Sequence, residues 1–504
     1  MMPQQLVAAK SRELHHIVDE LLTIVSHAVG EQTPIHEVES HVLKTLLRAG
    51  QTTVQLLVDC LGDGDVGQEH QLPDGTTLQR STEPQPRPYL SIFGKLDIRQ
   101  YVYAQRPGQA VQFVAIAARL ALPEGKFSYL LQDWDQHLAM EQPFGQVNQT
   151  MLRILGLNQH VDSLERMNRQ MAQAADAFYA SQTAPPAAEE GEIFVQTADG
   201  KGVPIRRPSD APPIVDHQHR RGPKPDRKKM ATLGAVYSID RFRRTPEEVV
   251  ESLFRHPGQK QVKTPRPRPC HKRMRAMLNH LEDREEIAGR AAVFGWISDE
   301  MALRRAGSKK PLVCIMDGEE SLWEMRDVFQ EQVPMTDILD LLHVTPRLWD
   351  AAHLFHPSGS KMAEKFVRQR VLRILHGDVA AVVRGLRRMG TRQGLRGAKL
   401  ATLRKICGYF RKNRHRMRYD DYLALGYPIA SGVIEGACRH VVKDRLERTG
   451  MTWTVPGAQA MLDLRCIYLT EQWESFNTLR ITKEIDRLYP YRDTLEALPP
   501  SVAA

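Results

Sequence analysis

The sequence predicts an α/β protein: an α/β core interrupted by an all-α insertion and preceded by helical and small β modules. Three observations carry this. Pro311-Leu312-Val313-Cys314-Ile315-Met316 is a near-continuous apolar run, the signature of a strand buried on both faces. A helix over 321–330 and a second strand-like run, Asp337 to Val344, follow it, and strand, helix, strand at these lengths is a βαβ unit with a parallel pair. Residues 346–418 then read as helix throughout. At 504 residues and 57.3 kDa the chain is too long for one core, and about three domain-sized units are expected.

Residues 1–64 form the first region, where apolar residues recur at helical spacing in Leu14 to Leu22 and Val38 to Leu47. Over 65–120 the pattern changes to a small β module, with Pro-Asp-Gly at 73–75 and alternating runs at Tyr89 to Gly94 and Leu96 to Ile98. Residues 121–181 are helical again. Val147 to Leu155, a Gly156 turn and Val161 to Tyr179 are compatible with a DNA-binding helix-turn-helix, although an ordinary helical hairpin is the preferred reading and the acidic charge of this half does not favour DNA. A Pro-containing linker spans 182–191.

The next unit begins with a strand-like run, Ile193 to Gly200, followed by a basic, Pro-rich loop (220–229) and a second run, Ala231 to Ile239. A loop to about 280 leads to a helix over Glu285 to Arg304. The boundaries that follow are 192–345, 346–428 for the basic helical insertion, 429–480 for the completion of the core, and 481–504 for a tail. Helices are expected around Ile434 to Arg448 and Val455 to Leu479.

With 42% hydrophobic and 26% charged residues the composition is that of a soluble globular protein, not of a disordered or fibrous chain. No stretch approaches the roughly 18 apolar residues of a membrane span, and the start, MMPQQLVAAKSRELHH, lacks the apolar run of a signal peptide. A cytoplasmic protein without membrane association is the expectation. The six cysteines are scattered with no CxxC spacing, so they read as reduced and structural.

The net charge of +9 points to a polyanionic partner, and its distribution is more telling than its sum. By band it is −9 over 1–205, +12 over 206–275, −7 over 276–360, +16 over 361–418 and −3 over 419–504. The basicity lies in two blocks.

Two carboxylates stand at corresponding places, each at the end of a strand and before a glycine: Asp199-Gly200 and Asp317-Gly318. Ligands of α/β sheets gather at the carboxyl ends of the strands, so both acids can face one site. Side by side they repel, and a bound divalent cation removes the conflict. Mg²⁺ prefers such oxygen ligands, and a pair of ions about 3.5–4 Å apart can act on both the attacking and the leaving oxygen of a phosphodiester. Glu435, in SGVIEG (431–436), is the candidate third carboxylate.

On these residues the chain resembles the DDE transposases of bacterial insertion sequences, closest to their mutator-like and ISKra-type branch. The resemblance is carried by DGKGVP (199–204), the strand-Asp-Gly at 313–318, the DxxH element Asp340-Leu341-Leu342-His343, SGVIEG, RLERTGMTW (445–453) and GAQAMLDLR (457–465). It covers roughly 193–475, with weaker similarity back to about 85. It implies a ribonuclease-H-like catalytic core holding Mg²⁺, with Mn²⁺ as a substitute, through Asp199, Asp317 and Glu435. It also implies cleavage at transposon ends and strand transfer into target DNA, by a homo-oligomer bound to terminal inverted repeats and associated with the nucleoid. Relatives often carry a Cys-rich finger near the N-terminal β module; YVYAQRPG (101–108) holds no cysteine.

Plainer readings stand beside these. Asp199 and Asp317 could be strand-end turn formers. Asp340 competes with Asp317 for the second place, and Asp317 is preferred for its strand-Asp-Gly context; His343 could be a buried, hydrogen-bonded residue. The basic block, with Arg384, Arg387, Arg388, Arg411, Lys412, Arg414, Arg416 and Arg418, reads as DNA-backbone contact rather than a solvated face, because 18 basic against 2 acidic residues repel one another without a counter-charge. An insertion of this size is expected to be a surface excursion. Lys443 and Arg445 are read as phosphate contacts or as surface, and Trp453 as a base-stacking residue or as a packing anchor. A nuclease without strand transfer and a non-catalytic DNA-binding protein are the competing functions.

Overall fold

The computed structural model describes residues 3–206, 228–255, 265–282 and 285–497. The chain divides into two compact units, Met1–Ala174 joined by Trp473–Ala504, and Ala175–Gln472. Among the described residues no helix is long and apolar enough to cross a membrane.

The second unit is built on a five-stranded sheet. Its strands are β1 (Ile193–Pro204), β2 (Lys228–Ile239), β3 (Cys270–Leu278), β4 (Leu312–Met316) and β5 (Thr336–Leu339), in the spatial order β5-β4-β1-β2-β3. The first three form an antiparallel meander, with Ile193 opposite Ile239 and Pro204 opposite Lys228. β4 then lies parallel to β1, and β5 parallel to β4. The sheet is therefore mixed, its parallel half made by the two strands that a helical crossover must return in the same sense.

Helices cover both faces. α1 (Gly289–Arg305) and α2 (Glu320–Gln330) pack Val293, Phe294, Ile297, Leu322 and Trp323 against Phe194, Val236, Cys314 and Met316. On the other face lie α3 (Leu341–Phe355), α4 (Lys361–Leu375), α5 (Val379–Arg392), α6 (Gly397–Lys412) and α7 (Tyr419–Ala424). All five residues of β4 are buried, as a strand covered on both sides must be. Each such Val or Ile removed from water contributes about 1.5–3 kcal/mol.

The insertion departs from expectation here. Phe366, Val367, Val371, Leu386, Leu403 and Phe410 share one continuous apolar cluster with Val195, Val313, Ile315 and Ile338 of the sheet. It is a layer of the core, not an excursion, because its helices bury an apolar stripe that only the sheet can cover.

Three elements differ from the sequence reading. The run 337–344 is strand only to Leu339; Asp340 caps α3, its Oδ1 accepting from Leu342 N at 2.8 Å. β3 stands where a loop was expected, and a short strand, Glu285–Ile287, precedes α1 where helix was expected. The expected helix 434–448 is α8 (Gly432–Ala437), a π-helical turn Cys438–Lys443, Asp444–Leu446 and a 3₁₀ turn Arg448–Gly450. α9 (Val455–Tyr468) closes the unit.

In the first unit, a hairpin of two long helices, Pro3–Glu31 and Ile35–Leu61, precedes short strands between Glu69 and Ala104. Helices Tyr129–Glu141, Phe144–Leu155 and Val161–Ala172 follow, the second ended by Gly156 at φ 70°. Helix Trp473–Leu488 returns to this unit, so the chain leaves the sheet-bearing unit at Gln472 rather than at 480.

Candidate active site

The pairing of β1 with β4 sets the site. Ala198 is opposite Met316 in parallel register, so Asp199 is set beside Asp317, the residue after β4. β1 itself does not end there, as the sequence suggests, but runs on in pairing with β2 to Pro204. Both acids are partly buried. Asp199 Oδ1 accepts from the amide of Gly200 at 2.7 Å, and Oδ2 faces the Cys438 thiol at 3.3 Å. Burial and the nearby Asp199 charge push the Cys438 thiol well up, which leaves it the S–H donor of that contact.

Burial raises the Asp317 carboxyl above the usual range, and Asp199 and Glu319 add to the rise. The Glu319 amide, which donates to Asp317 Oδ1 at 2.9 Å, and His343 oppose it. Glu435, exposed on α8, is likewise raised by burial of its carboxyl and by the charges of Asp340 and Asp199, and lowered by His343. The carboxylates thus feel one another, with His343 beside them as the counter-charge when protonated.

Asp340 has a different place. It is fully buried. One oxygen caps α3, and the other accepts both the amide of Ser431, at 3.2 Å, and its hydroxyl. Ser431 is the residue before α8, so Asp340 fixes the start of the helix that carries Glu435. Both of its oxygens are thus engaged in holding the starts of α3 and α8.

Two further features hold Glu435. The π-helical turn after α8 leaves carbonyls out of α-helical register, and the buried Arg465 takes them: its Nε lies 3.1 Å from both His440 O and Val441 O. Trp453 is hydrogen-bonded through its backbone to the end of β1, with Trp453 N to Pro204 O at 3.0 Å, and its indole donates to Leu446 O at 3.1 Å. Arg445 is 1% exposed, its guanidinium 5.0 Å from the Trp453 ring centre. The structure therefore places Arg445 in the interior and Trp453 as an anchor of this loop, whereas Lys443 is exposed.

The insertion reaches the site through Tyr409 of α6. A Cβ on Gly318 would sit 2.3 Å from Tyr409 Cε2, so the glycine after Asp317 makes room for this ring. Burial and then the Asp317 charge push the Tyr409 hydroxyl up to about 12, while the Gly318 amide, bonded to it, pulls the other way. The Arg347 guanidinium lies 5.2 Å from the Tyr409 ring centre. Tyr409 and Cys438 are not singled out as site residues by the sequence, and Ser431 and Arg465 stand in the motifs SGVIEG and GAQAMLDLR without a role.

Arg384, Arg387, Arg388, Arg411 and Arg414 are exposed. Lys412 pairs with Glu320 at 2.5 Å and Arg418 with Asp421 at 2.5 Å. Arg416 folds back, 3.8 Å from the Trp323 ring centre. The basic loop 220–229 lies outside the described residues up to 227.

The donors are all hard oxygens at mutually repelling positions, which suits Mg²⁺ or Mn²⁺ in kind. Among the described residues, however, no group of three or more His, Cys, Asp or Glu side chains is arranged so that it could hold a metal ion.

No family model matches the chain, and no curated protein matches it. Among solved structures, the Drosophila P element transposase strand transfer complex aligns over 74% of this chain and 88% of that one, at 10% identity and a TM-score of 0.25, too low to speak for a shared fold.

Proposed function

We propose that the second unit is a ribonuclease-H-like core and that the protein is a DDE-type DNA transposase, cutting transposon ends and joining them to target DNA. The observation that carries the reading is the register that sets Asp199 of β1 beside Asp317, the residue after the parallel strand β4, with Glu435 on a helix whose start is held by Asp340 through Ser431. The strand order, an antiparallel meander extended on one side by two parallel strands, supports the core assignment.

In this reading Asp199 and Asp317 would hold Mg²⁺, or Mn²⁺ in its place, with Glu435 as third ligand. The cation would lower the pKa of the attacking hydroxyl and stabilise the leaving oxygen. The protein's own part is to orient the acids: Gly200 N and Glu319 N hold one oxygen each of Asp199 and Asp317, and Tyr409 packs against the Asp317-Gly318 step. Exposed arginines 384, 387 and 388 on α5 would bind DNA phosphates. Self-association on DNA would use the outer face of the N-terminal helical hairpin.

The test is a strand-transfer assay with a pre-cut terminal-repeat duplex in Mg²⁺ or Mn²⁺. Joined product that Asp199→Asn abolishes is the expected result. Cleavage without joining would favour a nuclease, and no metal-dependent nicking at all would favour a DNA-binding protein without catalysis.

A further inference from the structure

Beside the helix carrying Glu435 lies a groove of about 700 Å³ between the start of β3 and α8. Arg268, His271 and Lys272 line one wall, and Gly432, Gly436 and His440 the other. These three are four residues apart along α8 and the π-helical turn that follows it. The groove therefore runs along the helix that carries Glu435.

Its charge is not all spent internally. Arg273, also in the wall, is bound to Glu300 at 2.8 Å and to Thr183 O at 2.7 Å. His271 lies 3.4 Å from Glu189, and His440 2.8 Å from Asp444. Among the described residues Arg268 and Lys272 have no carboxylate partner, and both reach solvent. The opposite wall is open at its two glycines, with nothing within 4 Å of where a Gly432 Cβ would be and only His440 Cδ2, at 3.9 Å, near that of Gly436. Val433, Ala437 and His440 line it beside them, and Glu471 brings one carboxylate to the groove. Neither glycine is required by packing or by a positive φ, so both leave room for something else. The chain also turns unusually at both ends of the groove. Of four non-glycine residues at positive φ among the described residues, two line it, His271 at 48° and Glu471 at 60°.

We propose that this groove seats the sugar-phosphate backbone of one DNA strand, with Arg268 and Lys272 on phosphates and the open Gly432 and Gly436 positions against the sugars. The proposal rests on the transposase reading and extends it, because it gives the substrate strand a path along the helix of Glu435 that is separate from the arginines of α5. Two cations without a carboxylate partner among the described residues, in a groove left open at two glycine positions, suit a chain whose charge recurs regularly along a uniform backbone.

The test uses the full chain and a labelled duplex of unrelated sequence, with binding followed by anisotropy over a salt series. Arg268→Gln/Lys272→Gln should weaken binding and flatten the slope of log K against log salt by about 2, since each phosphate contact contributes about 0.9. Its thermal midpoint should stay at the wild-type value. Gly436→Ala, which adds one methyl to open space, should weaken binding with the slope unchanged, and it decides the matter if the double variant is misfolded. If wild type binds and nicks DNA while both variants bind with wild-type affinity and slope, the groove proposal is overturned and the transposase reading stands. If the variants lose affinity for polyglutamate and not for DNA, the groove is an acidic-peptide site and the proposal is again overturned. If wild type neither binds nor nicks DNA, the parent reading falls and takes this one with it.

Discussion

Asp340 holds Ser431 by two bonds, the serine's amide and its hydroxyl both donating to one carboxylate oxygen, while its other oxygen caps α3. One fully buried side chain therefore ties the segment after β5 to the residue that starts the Glu435 helix. Removing it strands buried donors, which costs about 1–3 kcal/mol. Asp340→Ala should accordingly lose stability of that order in urea unfolding, with nicking falling alongside; Ser431→Ala should lose about 1 kcal/mol. An Asp340→Asn protein of wild-type stability that had lost all nicking would instead make Asp340 the second metal ligand.

Asp317 should behave oppositely. Its carboxyl is raised by burial and by Asp199, so the folded state binds the proton more tightly than the unfolded chain does. That contribution is fullest at acid pH, below the ordinary carboxylate range, and is lost as pH rises through the folded value. Asp317→Asn should therefore match or exceed wild-type stability at pH 8 without metal, yet show no nicking. Mg²⁺ should raise the melting temperature of wild type, by preferential binding to the folded state, and not that of Asp317→Asn. A variant that still gains stability from Mg²⁺ would remove Asp317 from the site.

The contact between Gly318 and Tyr409 yields a paired test. A methyl at 318 must displace the ring of a residue that is itself fixed in the α6 layer. Overpacking of this kind costs about 1–3 kcal/mol, so Gly318→Ala should be destabilised and slow in nicking. Tyr409→Phe should keep the packing. Combining Gly318→Ala with Tyr409→Ala should recover part of the stability that Gly318→Ala loses, and additive losses in the double variant would show that the two residues do not meet.

The residues that lie in apolar runs were the legible ones. β1, β2 and β4 announce themselves because strands covered on both faces need continuous apolar sequence, and Asp199 and Asp317, which follow the apolar runs of β1 and β4, could be named with them. β3 could not, since an edge strand needs only one apolar set, and here Met274, Ala276 and Leu278 alternate with arginines and a methionine. The charge of the insertion hid its burial: the arginines of α5 are outward-facing, and Val382, Val383 and Leu386 between them face the sheet. Arg445 and Arg465 were misplaced or missed for a related reason, because the acceptors that draw them inside, such as the π-turn carbonyls, exist only once the chain has folded. Composition reports what a side chain is, not what it caps.

Asp135, in the first unit, predicts a pH dependence unrelated to catalysis. It is fully buried, with one oxygen accepting from Gln159 Nε2 at 2.9 Å and the other without a partner, and burial pushes its carboxyl up to about 7. Its protonated form favours the fold, so stability should decline between about pH 4 and pH 7 and level off above, by at most about 4 kcal/mol. Asp135→Asn should flatten that decline, and an unchanged pH profile of urea unfolding would show that Asp135 is not its source.

The first helix carries two apolar seams. Leu14, Ile17, Leu21, Ile24 and Ala28 are covered to differing degrees and follow the 3-4-3-4 spacing of a helix packed on its neighbour in the hairpin. Val18, Leu22, Val25 and Val29 repeat the spacing on the outside, at 49, 68, 57 and 77% exposure. A seam of that period fits another helix, and a twofold partner supplies one without a second protein. Full burial of such side chains contributes about 1.5–3 kcal/mol each, so wild type should sediment as a dimer at micromolar concentration. Leu22→Lys/Val25→Lys, both at exposed positions, should sediment as a monomer with unchanged helix content. A monomeric wild type would end the idea, whereas a dimer unaffected by the two lysines would move the interface elsewhere.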